Sequence, residues 1–129
     1  MNERLKMITT KQFLNQEQER YNNLSEQMGV IWAFSDEQFK AQTTEGVKYT
    51  SIGAGGFIPS ANVKAYLEGL EAIEAWAKKA KKDDEAIILY ELNNYECFNI
   101  GDIGEAMPRL EELGYTLDEV KKIFKKNMN

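Results

Sequence analysis

The sequence predicts an α+β fold dominated by four or five helices, with one small sheet of one or two short strands. An all-α chain is the close alternative. Three observations carry this expectation. Apolar residues recur at three- and four-residue spacing through several long stretches. Ser, Thr or Asp stands where those stretches begin, and Gly closes several of them. Between them lie two short runs rich in β-branched and aromatic residues, 30–34 and 47–52.

The elements follow in order. Residues 10–28 place Phe13, Tyr21, Leu24 and Met28 at helical spacing, with Thr9 or Thr10 as cap and Gly29 as stop. Val30-Ile31-Trp32-Ala33-Phe34 reads as a buried strand, with continuation of the helix as the competing reading. Ser35-Asp36-Glu37-Gln38 has the outline of a capping box, Gln38 reaching back to Ser35, and starts a short helix that carries Phe39 inward. Residues 47–52 alternate as a weak strand. Gly53-Ala54-Gly55-Gly56 is then a loop that needs backbone angles open mainly to glycine.

A long helix is expected over 60–81, with Val63, Tyr66, Leu67, Leu70, Ile73, Trp76 and Ala77 as its apolar stripe. Lys78, Lys79, Lys81 and Lys82 fit a solvated helix end that complements the dipole, and Asp83-Asp84-Glu85 heads the next helix, 83–98. Asp102 is a candidate cap for a helix to Leu113, inside which Pro108 either kinks the chain or marks the true start. Thr116 caps the last helix, with Leu117, Val120 and Phe124 as its buried stripe. One compact domain over 1–129 is expected from the length, with residues 1–9 left open to disorder.

Composition narrows the function classes. There are 16 basic and 21 acidic side chains, a net charge of −5, so direct binding to a phosphate backbone is not expected and a basic protein surface suits better. The chain has no histidine, which removes the commonest general base and metal ligand and rules out Ser-His-Asp and Cys-His catalysis. Its one cysteine, Cys97, excludes an intramolecular disulfide and reads as a small core residue, consistent with a reducing cytoplasm. The longest apolar run is far short of the roughly 20 residues a membrane span needs, and the first ten residues lack the apolar middle of a signal peptide. No catalytic residue, metal ligand or cofactor is assigned; a homo-oligomer is left open.

Two constellations remain as candidate ligand-binding or interaction sites. Gly53, Gly55 and Gly56, followed by a helix starting near Ser60, could present N–H groups to a phosphate-bearing ligand; the alternative is a tight turn packed against Trp32 or Phe57. Neither a Walker nor a Rossmann pattern is present. In Tyr90-Glu91-Leu92-Asn93-Asn94-Tyr95-Glu96, helical spacing lines up Glu91, Asn94 and Tyr95, as a ligand-orienting group or as a polar network that fixes helix register. Acidic residues around Glu91 also raise a metal-assisted hydrolase, without EF-hand spacing. Most of Trp32, Phe34, Phe39, Tyr49 and Phe57 are expected in the core.

Three phrases occur in a fixed order: Trp32-Ala33-Phe34-Ser35-Asp36-Glu37-Gln38-Phe39, Ser51-Ile52-Gly53-Ala54-Gly55-Gly56-Phe57-Ile58 and Tyr90-Glu91-Leu92-Asn93-Asn94-Tyr95-Glu96. With the closing Leu113-Gly114-Tyr115-Thr116-Leu117-Asp118-Glu119-Val120, they cover about residues 30–124. In this the chain resembles a family of small proteins of phages, prophages and other bacterial mobile elements. In that family a histidine often stands where this chain has Tyr95; if that histidine is a ligand or base, its absence argues against that chemistry here, or against a shared catalytic role at all. The resemblance implies no settled activity. That context, the small acidic domain and the lack of a catalytic set together lead to the expectation of a noncatalytic accessory protein in the bacterial cytoplasm, of anti-defence or takeover type, whose partner is a host or defence-system protein with a basic surface.

Overall fold

Thr9 opens the first helix by a reciprocal pair of bonds: Gln12 N–H donates to Thr9 Oγ1 (3.1 Å), and Thr9 N–H donates to Gln12 Oε1 (2.9 Å). That helix, α1, runs Thr10–Gln27. The structure is a computed structural model that describes residues 8–80 and 82–128. After α1 come β1 (Ile31–Trp32), α2 (Asp36–Gln42), β2 (Tyr49–Gly53), β3 (Gly56–Pro59), a 3-10 turn over Ser60–Asn62 and α3 (Val63–Lys79). Four shorter helices follow: α4 (Asp84–Asn94), α5 (Cys97–Ile100), α6 (Met107–Glu112) and α7 (Leu117–Lys126). The α+β reading holds, but the described residues contain seven α-helices and three strands where four or five and one or two were expected. Of the open region 1–9, residues 1–7 lie outside the described residues; Ile8 bridges Lys82 in parallel and Thr9 is the cap.

The chain forms two compact units, Gln18–Ile73 and Met1–Glu17 with Glu74–Asn129. In the first, an antiparallel sheet has the order β1-β3-β2. Ile31 pairs with Phe57 and Trp32 with Gly56 on one side of β3; Thr50 pairs with Ile58 and Ser51 with Phe57 on the other. The missed strand is the central one. It is four residues long, begins with Gly56 and ends with Pro59, and both types weaken a strand signal. Ala33 and Ile58 are buried, and Phe39 meets Phe57 and Tyr49 edge-on at 4.9 and 5.9 Å. The Ser35 cap forms as expected, accepting from Gln38 N–H at 3.1 Å. Gln38, however, accepts from Phe34 N–H (2.8 Å) rather than from Ser35.

The second unit buries Phe13, Ile87, Ile88, Leu92, Cys97, Leu110, Leu113 and Val120 in one apolar cluster. Asp83 caps α4 through Ala86 N–H (3.1 Å), and Thr116 and Glu119 form a full capping box on α7. Cys97 is fully buried, as expected, and burial pushes its thiol pKa up. Four expectations change. The helix expected over 83–98 breaks after Asn94, because Glu96 turns into the left-handed region at φ 55° and starts α5. Met107 rather than Asp102 begins the next helix, with Pro108 in its first turn, where its missing N–H costs nothing. Leu67 and Leu117, expected on buried stripes, are exposed. Lys82 is buried rather than solvated, while Lys81 lies outside the described residues.

Glu96 is one of two non-glycine residues with positive φ among the described residues. A side chain there costs roughly 1–2 kcal/mol relative to a right-handed site, offset in part by glycine's unfolded-state entropy. Glu96→Gly is therefore expected to raise stability by about 0.5–1 kcal/mol in urea unfolding.

Candidate functional site

The glycine segment is a β-hairpin turn. Ala54 and Gly55 are its two central residues and both have positive φ, 51° and 83°, the sign a type I′ turn demands. The helix that follows does not abut it. All of β3 intervenes, about 13 Å at the usual strand rise. Ser60 therefore sits at the far end of β3 from Gly55, where its hydroxyl bonds to Thr50 Oγ1 at 2.7 Å. Gly53 N–H donates to its neighbour Ser51 Oγ (3.3 Å), and Gly55 C=O accepts from Ala33 N–H (2.8 Å).

The missing side chains of the turn make room for two rings. A Cβ on Gly55 would run into the Phe34 ring, and one on Gly56 would lie 2.7 Å from Trp32. Each glycine thus leaves room for part of an aromatic ring, and Gly56 for Ile52 as well. They do not enter the core: Trp32 is 49% and Phe34 76% exposed, whereas Ala33 between them is buried. The alternation of an extended segment explains this, since Trp32 and Phe34 share the face opposite Ala33. Two glutamines of α2 hold the segment. Gln42 Nε2 donates to Trp32 C=O at 2.7 Å, and Gln38 Oε1 accepts from Phe34 N–H. An exposed aromatic pair on a fixed backbone is the feature that the expectation of buried aromatics missed.

Glu91 lies in the other unit. It is 3% exposed, deeper than a half-buried site, and belongs to an ion network. Arg109 Nε donates to Glu91 Oε2 at 3.1 Å. Its two terminal nitrogens fork onto Glu17, Nη1 to Oε2 at 2.8 Å and Nη2 to Oε1 at 2.6 Å. Asn94 Nδ2 makes a long bond to Glu91 Oε1, 3.5 Å. Hydrogen bonding to Glu17 raises the Arg109 pKa further above its ordinary value, so the guanidinium stays charged. Tyr95 closes α4 and packs against the apolar cluster. Thus Glu91 and Asn94 meet each other, but each carboxylate is turned to Arg109. Glu17 went unnoticed in the sequence although it falls four residues after Phe13 on the apolar stripe of α1, where a charge calls for a partner. Among the described residues, no group of three or more His, Cys, Asp or Glu side chains is placed to hold a metal ion.

Lys82 makes a second buried polar centre. Its ammonium donates to Ala77 C=O (2.8 Å), one of the last carbonyls of α3, and lies 5.3 and 5.4 Å from the ring centres of Phe13 and Tyr115. Burial lowers its pKa, against the raising influence of Asp84 and Glu17. Tyr115 donates its hydroxyl to Asp84 Oδ1 at 2.6 Å. Burial first, and that bond second, raise the Tyr115 pKa well above its ordinary value of 10.0. The folded state therefore keeps a proton that the unfolded chain releases near pH 10. The tyrosine's contribution is complete below that pH and fades as pH rises through the folded-state value. Cys97 acts in the same sense, its loss beginning near pH 9.0, and Lys82 in the opposite sense below pH 10.5. Tyr115→Phe isolates the tyrosine. It is expected to cost about 1 kcal/mol at pH 7, and its deficit against the parent should shrink above pH 10 in paired unfolding curves.

No helix among the described residues is long and apolar enough to cross a membrane. The fold and site thus define a small α+β protein, mostly helical, with an exposed aromatic pair on a glycine hairpin and a buried ion network elsewhere. It belongs to DUF7659, a family of unknown function, whose model matches residues 11–129. No curated protein and no solved structure matches the chain.

Proposed function

We propose that this chain is a noncatalytic accessory protein of a phage or mobile element that binds and modulates a host or defence-system protein in the bacterial cytoplasm. The observation that supports it best is the pair Trp32 and Phe34, exposed beside the glycine hairpin on a backbone segment held by Gln38 and Gln42. Aromatic side chains are the usual energetic anchors of protein interfaces, and fixing them beforehand lowers the entropy lost on binding. The net charge of −5 favours a partner with a basic surface. The mobile-element context comes from the order of the three sequence phrases, and the buried thiol of Cys97 suits a reducing compartment. Glu91 is the weaker centre for chemistry, because Arg109 and Asn94 take up its oxygens.

Affinity purification from the native host tests the proposal. The parent protein should recover a specific partner, and a Trp32→Ala/Phe34→Ala variant of unchanged melting temperature should not. Equal recovery by both would discard it.

A further inference from the structure

We infer that Trp32 and Phe34, together with the acidic pair Asp36 and Glu37, form a recognition site for an arginine presented on an extended peptide segment of the partner. The inference rests on the proposed aromatic anchor and names what that anchor grips. Phe34 lies where a Gly55 side chain would stand, and Cζ3 of Trp32 together with Ile52 lies where a Gly56 side chain would; the exposed remainder of both rings presents π-surface to solvent. Such surface attracts cations, and a planar guanidinium stacks on it better than an ammonium does. Asp36 and Glu37 follow Phe34 by two and three residues, exposed in the first turn of α2 behind the Ser35 cap. In the proposed site a carboxylate of this pair takes the N–H fork of the bound guanidinium.

Size and charge narrow the occupant. Two rings and a two-residue turn offer far less than the roughly 800 Å² that each partner contributes to a standard folded interface, so a short segment suits the patch better than a second globular surface. A second copy of this chain suits it poorly. A two-fold contact through the same patch would bring Asp36 and Glu37 against their own symmetry mates.

Titration of the full chain, followed by amide and indole NMR shifts, tests this with three synthetic peptides. Each is Gly-, Ser- and Pro-flanked, and each carries arginine, lysine or neutral citrulline at one position. The arginine peptide should shift the Trp32 indole and Phe34 amide saturably, and citrulline should bind at least about tenfold more weakly. Phe34→Ala should abolish the shifts, and Asp36→Asn/Glu37→Gln should weaken binding and flatten its salt dependence. Gly55→Ala, which drives a methyl into the Phe34 ring, should weaken it while leaving Asp36 and Glu37 in place. The inference is overturned if no saturable shift occurs, if citrulline binds equally, if Phe34→Ala retains binding, or if the same resonances instead report a dimer. Should the peptides fail while host-partner capture still depends on Trp32 and Phe34, the arginine assignment falls and the wider proposal stands. Should capture prove indifferent to both rings, the wider proposal falls.

Discussion

Arg109→Ala is expected to destabilise the protein by about 3–5 kcal/mol, seen as a lower urea midpoint with an unchanged slope. The magnitude follows from what the substitution leaves behind. Glu17 and Glu91 are 7% and 3% exposed, and all four of their carboxylate oxygens are engaged in the network. Removing the guanidinium strands two carboxylates close together with little water. Charge left unpaired in this way costs more than the intact pair contributes, because the desolvation has already been incurred. A control follows from the same reasoning. In Glu17→Gln/Glu91→Gln, loss of Arg109 should cost clearly less than in the parent, since neutral amides do not repel. Additive costs would show that Arg109 acts through packing alone.

Phe13→Ala should cost a comparable amount, about 3–5 kcal/mol. Phe13 is fully buried and stacks on Trp76 at 5.3 Å between ring centres and 9° between planes. The same ring lies under the Lys82 ammonium. Its removal leaves a void, loosens Trp76 and takes one aromatic face from a buried cation. Calorimetry should show the lost stability, and the emission of Trp76 should shift to the red as its stacking partner disappears. A change under 1 kcal/mol would mean that the neighbours close the gap, contrary to the dense packing of this cluster.

What the sequence made legible was mainly local. Thr9, Ser35, Asp83 and Thr116 bond to N–H groups three residues on, so their short-range chemistry is visible in the string itself. Leu92, Val120 and Phe124 announced their burial by helical spacing. What stayed hidden depends on distant partners. Arg109 meets Glu17 across 92 positions, and nothing local to Pro108-Arg109 signals it. The strand Gly56–Pro59 is masked by its own end residues, and only pairing on both sides makes it a strand. The aromatic pair was misplaced for a subtler reason. In Trp32-Ala33-Phe34 the period of two allows either the rings or the alanine to face inward, and hydrophobicity favours the rings. The glycine hairpin reverses the choice by giving the rings a bed outside the core. The Glu91 phrase was readable as a polar network, but its depth and its arginine were not.

The two centres thus make opposite demands on any variant. On the proposed reading Glu91 serves stability and the aromatic pair serves recognition. The most direct measurement places Glu91→Gln beside Phe34→Ala and records, for each, the melting temperature and the recovery of the host partner. Glu91→Gln should melt earlier yet, below its transition, capture the partner as the parent does. Phe34→Ala should melt with the parent and lose the partner. Capture lost in Glu91→Gln while still folded, and kept in Phe34→Ala, would contradict the account.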